Sequence, residues 1–354
     1  MSRFFSDKYS YLDPYTPGEQ PRDRRYIKLN TNESPFPVSQ MALREAAAAA
    51  ERLNLYSDPE CTELVKTAYE VFGLEKNEIL FTNGSDEILN FAFMAFCDEK
   101  HPAVFPDITY GFYPVFAQLN NVPYAEIPLR EDFSIDISDY FDTGKTVFIA
   151  NPNAPTGIAL KRSEIEQIVQ HNPDNIVVVD EAYVDFGAES CLPLIHSYDN
   201  LLVVQTFSKS RSMAGARLGF GAGNSELISD LRSIKYSTNP YNVNSMTMAA
   251  GIGALKDREY FERNCAAIAE TREYVTAQLR QLGFTVPDSC ANFIFARHPD
   301  IGGEELYLEL KKRGILIRHL SRPEISEYNR ITIGRREDMD TLVRTIGTIL
   351  EEKK

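Results

Sequence analysis

The sequence predicts an α/β fold in which a large unit contains a mostly parallel sheet flanked by helices and a smaller α+β unit follows. From about residue 60 to residue 220, helical stretches alternate with short apolar runs, which is typical of parallel sheets. The runs are apolar throughout, which indicates strands that are covered on both faces. These predicted strands lie at residues 79–81, 103–105, 146–150, 176–179 and 201–204.

The length of 354 residues corresponds to about two domains of ordinary size. We predict an N-terminal arm over residues 1–35, a large unit over residues 36–245 and a small unit over residues 246–354. The arm is rich in tyrosine, proline and charged residues. The boundary near residue 245 is the point at which the alternation of strands and helices ends.

Helix boundaries are recognisable in both units. Ser39 is predicted as the N-cap of a helix that contains the alanines at 46–50. In the small unit, the amphipathic stretch 257–282 predicts a long helix that ends at Gly283. Shorter elements of the small unit are predicted at residues 293–295, 304–312, 315–317 and 330–334, before a final helix.

The composition excludes several classes of protein. Hydrophobic residues make up 43% of the chain and charged residues 25%, as in globular proteins and unlike collagens or disordered chains. The chain has 37 basic and 51 acidic residues, so its net charge is −14. We therefore expect neither nucleic acid nor an anionic membrane surface as a partner. No run reaches the ~18 apolar residues that a membrane span requires.

The cysteines and histidines indicate neither disulfides nor a metal site. The five cysteines are far apart and contain no CxxC pair, and the five histidines lack the spacing of metal ligands. The first residues also lack the apolar stretch of a signal peptide. We therefore expect free thiols, no metal and a cytoplasmic location.

Polar or glycine-rich residues directly follow each predicted strand of the large unit. In open parallel sheets, ligands bind beyond the carboxyl ends of the strands, where such residues converge. We therefore predict one site at this edge of the sheet. The segments concerned are residues 82–86, 106–110, 151–157, 180–183 and 205–209.

Two of these features are candidates for binding an anion. Gly84, Ser85 and Asp86 begin an apolar helix, whose free N–H groups suit a phosphate, although a simple turn with an N-cap would have the same sequence. Arg217 lies eight residues after Lys209 and is either an anion ligand or a structural ion-pair partner.

Three further residues are candidates for chemistry. Asp180 ends a buried run and needs a partner, which is either a structural cation or a protonated ring nitrogen. Tyr183 is either a donor to a phenolate-like oxygen or a packed core tyrosine. Lys209 is either a nucleophilic amine at a pocket edge or a solvated lysine.

In this order, the segments resemble those of fold-type I pyridoxal-phosphate (PLP) aminotransferases, and within them the histidinol-phosphate aminotransferases. The matching segments include Leu-Asn-Thr-Asn-Glu-Ser-Pro at 29–35, Tyr-Ser-Asp-Pro at 56–59 and Arg-Ile-Thr-Ile-Gly at 330–334. The stretch from Ser208 to Arg217 is the most specific. The resemblance implies a PLP-dependent transaminase of histidine biosynthesis, which converts histidinol phosphate and 2-oxoglutarate to imidazole acetol phosphate and glutamate.

The resemblance also implies roles for the residues around the cofactor. Lys209 would hold PLP covalently and move protons, Asp180 would pair with the ring nitrogen, and Tyr183 would donate to the ring hydroxyl oxygen. Tyr110 would stack on the ring. The cofactor phosphate would be held by Gly84, Ser85, Asp86, Thr206, Ser208 and Arg217.

Four residues are implied in substrate binding and one in assembly. Arg330 would bind the glutamate carboxylate. Arg318 and Tyr15 would contact the substrate phosphate, and Asn32 would also bind substrate. Tyr56 matches a tyrosine that reaches the cofactor phosphate of the neighbouring subunit, which implies a homodimer.

One position departs from the family pattern, and other reactions stay open. The family usually has asparagine directly before Pro-Thr-Gly, where this chain has Ala154, preceded by Asn153. Either Asn153 contacts the cofactor ring oxygen instead, or Tyr183 acts with less help. An aromatic amino acid aminotransferase or a threonine-phosphate decarboxylase would share the same cofactor residues. A non-catalytic PLP-binding regulator is disfavoured because the net charge of −14 opposes DNA binding.

Overall fold

The structure, a computed structural model, describes residues 2–75 and 77–353. The strands of these residues are β1 (Ile27–Lys28), β2 (Ile79–Thr82), β3 (Ala103–Pro106), β4 (Tyr124–Ile127), β5 (Thr146–Ala150), β6 (Val177–Asp180), β7 (Leu201–Thr206), β8 (Gly219–Gly223), β9 (Phe293–Ala296), β10 (Ile315–Leu316), β11 (Arg318–His319) and β12 (Asn329–Thr332). The helices are α1 (Gln40–Ala50), α2 (Thr62–Phe72), α3 (Ser85–Phe96), α4 (Tyr113–Leu119), α5 (Arg162–Gln170), α6 (Ser225–Thr238), α7 (Ser245–Lys256), α8 (Arg258–Gln281), α9 (Gly303–Lys312) and α10 (Arg336–Glu352).

The largest sheet of the described residues has seven strands in the order β2-β8-β7-β6-β5-β3-β4. Neighbouring strands are parallel except where β8 pairs antiparallel with β2 and β7. The predicted α/β fold with a mostly parallel sheet is therefore confirmed, and so are the five predicted strands. The sequence prediction missed β4 and β8. The strand β8 reads Gly-Phe-Gly-Ala-Gly and has no apolar run to reveal it.

The continuous apolar runs have a direct structural reason. Successive side chains of a strand point to opposite faces of the sheet, and here both faces are covered. Val177 and Val179 of β6 face the cluster that includes α2, α5 and α7, whereas Val178 faces the cluster that includes α3 and α6. Burial of each such side chain stabilises the fold by roughly 1.5–3 kcal/mol relative to exposure. Strands β5 and β7 alternate in the same way.

The small unit contains the antiparallel sheet β11-β12-β9, and helices α8, α9 and α10 contribute to its hydrophobic cluster. The predicted long helix is present as α8, and the predicted final helix is α10. The end of the arm joins this unit, because β1 pairs in parallel with β10 and the N–H of Leu29 donates to Leu316 O at 2.7 Å. The arm thereby brings residues 30–33 beside the sheets of both units.

The division into arm, large unit and small unit remains a proposal, and the packing favours a later boundary. Helix α7 begins at Ser245, at the predicted boundary, but packs with the core of the large sheet through Met248 and Ala254. It lies so close to α1 that a Cβ on Gly253 would be 2.6 Å from Ala42 Cα. We therefore propose Asp257, which lies between α7 and α8, as the boundary. The predicted N-cap of α1 is confirmed, since Ser39 Oγ accepts from the Ala42 N–H at 3.1 Å.

Two kinds of feature are absent from the described residues. None of their helices combines the length and apolar character that crossing a membrane requires. No cluster of three or more histidine, cysteine, aspartate or glutamate side chains within residues 2–75 and 77–353 is arranged to hold a metal ion.

Candidate active site

A cavity of about 250 Å³ lies at the carboxyl ends of β2, β5, β6 and β7, and we call it the central cavity. Residues of the arm and of the small unit complete its wall. The prediction that the strand ends converge on one site agrees with this location. The sequence-predicted residues that line it are Tyr15, Asn32, Ser85, Asp86, Tyr110, Asp180, Tyr183, Thr206, Ser208, Lys209, Arg217, Arg318 and Arg330.

Three predicted residues do not line the central cavity. Gly84 adjoins it as the N-cap of α3, with a φ of +86°. A Cβ at Gly84 would lie 2.6 Å from Arg217 Nη2, so glycine is what lets the guanidinium rest over the start of this helix. Tyr56 is 85% exposed and stacks on Tyr241 with ring centroids 4.7 Å apart. Asn153 is buried, and its side chain does not line the central cavity.

Of the two alternatives for the cofactor ring oxygen, the contacts of Asn153 favour the one in which Asn153 does not reach it. Its Oδ1 accepts from Thr109 Oγ1 at 2.8 Å, and its Nδ2 donates to Ile108 O at 2.9 Å. These bonds hold the 151–157 loop against the segment after β3. Ala154, whose methyl group can neither donate nor accept, lines the cavity instead.

Asp180 lies at the base of the cavity, at the end of β6. Its carboxylate accepts from Tyr113 Oη at 3.2 Å and from the Ala182 N–H at 3.1 Å. Burial raises the pKa of Asp180 to about 7, although these bonds and the nearby Lys209 act in the opposite direction. Among the described residues no cation forms a salt bridge with it, so the site favours a cationic ligand group.

A site for an anion surrounds the start of α3. The first N–H groups of a helix have no partner within the helix, and the helix dipole favours negative charge there. Arg217 Nη2 donates to Asp86 Oδ2 at 3.1 Å, and its Nη1 approaches Ser208 Oγ at 3.4 Å. Thr206 Oγ1 accepts from the Ser208 N–H at 3.1 Å. An arginine, two hydroxyl groups and a helix N-terminus together suit a phosphate.

Lys209 follows β7 and extends into the cavity between these two sites. Its Nζ lies 3.4 Å from Thr31 O and 5.8 Å from the ring centroid of Tyr183. Within the described residues no carboxylate forms a salt bridge with this amine. A lysine amine without an acidic partner at the edge of a cavity can react as a nucleophile.

Two tyrosines on the cavity wall have well-defined partners. Tyr110 Oη donates to Asp86 Oδ1 at 2.6 Å, and burial together with that carboxylate raises the pKa of Tyr110. Tyr183 Oη accepts from Asn32 Nδ2 at 3.0 Å. The ring of Tyr183 packs edge-on against Phe293, with centroids 5.0 Å apart.

The small unit contributes two arginines. Arg330 on β12 is half-buried, and desolvation lowers the pKa of its guanidinium. Its Nη2 donates to Asn30 O at 3.1 Å, but its buried Nε has no hydrogen-bond partner among the described residues. Arg318 on β11 donates to Thr16 O at 3.1 Å and to Pro17 O at 3.3 Å, and so ties the arm over the cavity. Tyr15 of the arm stacks on Phe112, with centroids 4.3 Å apart.

Sequence reasoning missed several lining residues, including Asn30 and Thr31, and the partner of Asn32. Asn30 and Thr31 line the cavity, and the carbonyl group of Thr31 is the partner of Lys209. Both lie in the 29–35 segment that carried the family resemblance, so their position beside Asn32 was the available signal. The hydrogen bond from Asn32 to Tyr183 joins residues 151 positions apart, and no pattern in the sequence predicts it.

Residues 24–346 match the family model of class I and II aminotransferases, and the chain belongs to this family. Over nearly its whole length it is similar to enzymes named histidinol-phosphate aminotransferase. It is 49% identical to that of Brachyspira hyodysenteriae over 353 residues, which cover 99% of this chain and 100% of the relative. It is 45% identical to that of Clostridium acetobutylicum over 347 residues, covering 98% of this chain and 99% of the relative.

A solved structure shares the fold. The histidinol-phosphate aminotransferase from Sinorhizobium meliloti, in complex with pyridoxal-5'-phosphate, superposes with a TM-score of 0.91 at 21% identity, covering 100% of this chain and 99% of that one. The resemblance seen in the sequence is therefore confirmed, together with the fold and the assignment to the aminotransferases.

Proposed function

We propose that this aminotransferase uses PLP to convert histidinol phosphate and 2-oxoglutarate to imidazole acetol phosphate and glutamate. One observation carries the proposal. Among the described residues, a single cavity contains a lysine amine without an acidic partner, a buried carboxylate without a cation and an anion site. The names of relatives at 43–49% identity support the choice of substrate.

The residues of the central cavity fit PLP group by group. The site around α3 and Arg217 suits the phosphate, and the uncompensated carboxylate of Asp180 suits a protonated ring nitrogen. The O–H group of Tyr183 faces the cavity and suits the ring oxygen. When bound, PLP supplies an electron-withdrawing ring that stabilises negative charge on the substrate carbon.

The chain's own residues then act on protons and orientation. Asp180, as a buried carboxylate, keeps a proton on the ring nitrogen because charge pairing is strong where water is excluded. The amine of Lys209 would hold the cofactor covalently, would be released when the amino group of the substrate takes its place, and would then accept and return the proton of the substrate carbon. Thr31 O lies 3.4 Å from the amine and restricts its position.

The arginines of the small unit support a substrate pair that shares negative charge. The Nε of Arg330 is buried and has no partner within the described residues, so a carboxylate of glutamate or 2-oxoglutarate would supply its missing acceptor. Arg318 and Tyr15 border both the central cavity and an outer cavity of about 540 Å³ that also contains Arg322. We assign the phosphate of histidinol phosphate to this region.

We also propose that the enzyme is a cytoplasmic homodimer. All five cysteines, each within the described residues, are free thiols, which is typical of a reducing compartment. Leu53, Leu55 and Tyr56 are exposed large apolar side chains on one short segment. Contact with a second copy would bury them, and Tyr56 would then reach the neighbouring cofactor phosphate.

The cofactor is tested by absorption and by reductive trapping. We expect the purified protein to have a visible absorption band with PLP, and borohydride to attach the cofactor to the peptide that contains Lys209. Lys209→Ala should lose the band, the trapped peptide and turnover, by a factor on the order of 10³ or more in rate. Lys100→Ala, at an exposed turn, is the matched control. A colourless wild-type protein would overturn the proposal.

The substrate is tested with a panel under the same conditions. Histidinol phosphate, phenylalanine and threonine phosphate are each supplied with 2-oxoglutarate, and both glutamate and carbon dioxide are measured. We expect the highest kcat/KM for histidinol phosphate. A preference for phenylalanine would indicate an aromatic aminotransferase, and release of carbon dioxide from threonine phosphate would indicate a decarboxylase.

A further inference from the structure

Asn32 has contacts that differ from those of a substrate ligand. It is 1% exposed, and its side-chain amide lies between Thr332 on β12 and Tyr183 after β6. Its Nδ2 is 3.0 Å from Tyr183 Oη, and its Oδ1 is 3.0 Å from Thr332 Oγ1. Both polar groups of the amide are therefore occupied by protein partners.

The hydroxyl group of Thr332 determines which way the amide faces. Thr332 Oγ1 accepts the backbone N–H of Asn32 at 2.9 Å, so its own hydrogen is free to donate. That hydrogen can only be received by an oxygen, which places Oδ1 toward Thr332 and the NH₂ group toward Tyr183. The amide therefore presents a donor, and not an acceptor, to the tyrosine oxygen.

The backbone of Asn32 is fixed as well as its side chain. Its φ is +55°, in the left-handed region that asparagine tolerates better than most residues. Its carbonyl oxygen accepts from Asn292 Nδ2 at 3.0 Å, so the N–H, the carbonyl and the side chain are all fixed. Asn32 is therefore fixed at three points and has a strained backbone, which is typical of a residue that positions a neighbouring group.

The hydrogen bond from Asn32 restricts the direction of the Tyr183 O–H group. Because Asn32 donates to the phenol oxygen, the phenol hydrogen cannot be used in that bond. Within the described residues no side chain accepts a hydrogen bond from Tyr183 Oη, and Ala154 presents only a methyl group to the cavity. The hydrogen is left to point into the central cavity.

We propose that Asn32 is a positioning residue that acts through Tyr183, directing the tyrosine O–H toward the ring oxygen of the bound cofactor. This inference rests on the proposed function, because it requires PLP in the central cavity. It replaces the assignment of Asn32 to substrate binding. It also answers the question left by Ala154, since the missing help for Tyr183 comes from Asn32 and not from Asn153.

The effect is measured by the pH at which the visible band of the cofactor-loaded protein changes. When the lysine–cofactor linkage loses its proton, the ring oxygen keeps a negative charge without a neighbouring cation, and a donor from Tyr183 stabilises that state. A well-aimed donor therefore lowers the transition pH. Asn32→Gly, which tolerates the positive φ, should raise it by about 0.5 pH unit, the equivalent of part of a net hydrogen bond.

Asn32→Asp should have a larger effect than Asn32→Gly. Thr332 would still donate to one carboxylate oxygen, and the other would accept the Tyr183 hydrogen and draw it out of the cavity. We expect the transition pH to rise by about 1 unit or more. The matched control is Asn121→Gly, an exposed position with the same φ of +55° that lies outside the central cavity. This control should titrate as the wild type does.

A double-mutant comparison separates positioning from general damage. In a Tyr183→Phe background there is no hydrogen to direct, so neither Asn32 variant should shift the transition further. Steady-state kinetics should show a lower kcat with little change in KM, whereas a substrate ligand would raise KM.

Three outcomes overturn the inference. The first is a wild-type transition pH in both Asn32 variants, and the second is an equal shift with and without the Tyr183 hydroxyl. In both cases the proposed function stands, because the band itself is present. The third is absence of any visible band from the wild-type protein, which overturns the proposed function as well.

Discussion

Replacement of Asp180 by asparagine should stabilise the cofactor-free protein at alkaline pH while weakening its affinity for the cofactor. The substitution keeps the shape of the side chain and removes its charge. Burial raises the pKa of Asp180 from 3.8 to about 7 in the folded protein. At about 1.4 kcal/mol per pKa unit, ionisation of this group costs the folded state at most about 4 kcal/mol.

The sign follows from where the proton binds more tightly. Because the folded-state pKa is the higher one, the folded protein holds the proton better than the unfolded chain does. The stability from this proton is full below about pH 4 and is lost as the pH rises through about 7. Asparagine resembles the neutral acid at every pH. It presents only one acceptor to Tyr113 and Ala182, which costs about 1 kcal/mol. The net gain at pH 8 is therefore about 2–3 kcal/mol, and it shrinks toward pH 4.5.

The assay is thermal and denaturant unfolding of the cofactor-free wild type and variant across this pH range, paired with PLP titration. Glu181→Gln is the matched control, because burial also raises the pKa of that neighbouring carboxyl to about 7, yet Glu181 lies outside the central cavity. The control should share the pH trend but bind PLP like the wild type. If Asp180→Asn gains no stability between pH 4.5 and pH 8, or binds PLP with unchanged affinity, the assignment of Asp180 as an unpaired acid is refuted.

Two further substitutions test the anion sites. Arg330→Leu should raise the KM for 2-oxoglutarate by about 10- to 100-fold, since a charge-assisted bidentate contact is worth roughly 1.5–3 kcal/mol, while the visible band is retained. An unchanged KM would exclude Arg330 as the carboxylate ligand. Gly84→Ala should weaken PLP binding by about 10-fold, because the added Cβ would displace Arg217 and the φ of +86° disfavours alanine. Equal PLP affinity in wild type and variant would show that Arg217 does not hold the phosphate.

The elements that the sequence predicted are those whose burial is locally uniform. Strand β6 is buried on both faces, so its run of valines predicts a strand without any information about the elements that pack on it. Strand β8 was not predicted because glycine, which allows close packing, replaces the apolar side chains that would indicate a strand. A Cβ on Gly219 would be 2.4 Å from the Ser85 nitrogen, so the start of α3 can lie against β8 only if this residue is glycine. The reason for that glycine is 134 residues away in the chain and cannot be read locally.

Side-chain direction within the site was harder to predict than membership of the site. The chain order placed Asn153 in the correct loop, but its amide is held by Ile108 and Thr109, which follow a different strand. The orientation of Asn32 depends in the same way on Thr332, which the sequence separates by 300 residues. Residues at strand ends can be predicted from the fold class, whereas the partner of each polar group depends on the assembled structure.

Asp180 and Arg330 are charged groups of the central cavity that lie on different units. Asp180 ends β6 and is buried, and no cation of the described residues forms a salt bridge with it. Arg330 lies on β12 of the small unit, and its buried Nε has no hydrogen-bond partner among those residues. An uncompensated buried charge is costly. On the proposed function, the cofactor would bring a cation to Asp180 and the substrate a carboxylate to Arg330, so both costs would be relieved together. Binding of the two would then link the large and small units through charge, and we expect each to tighten the binding of the other.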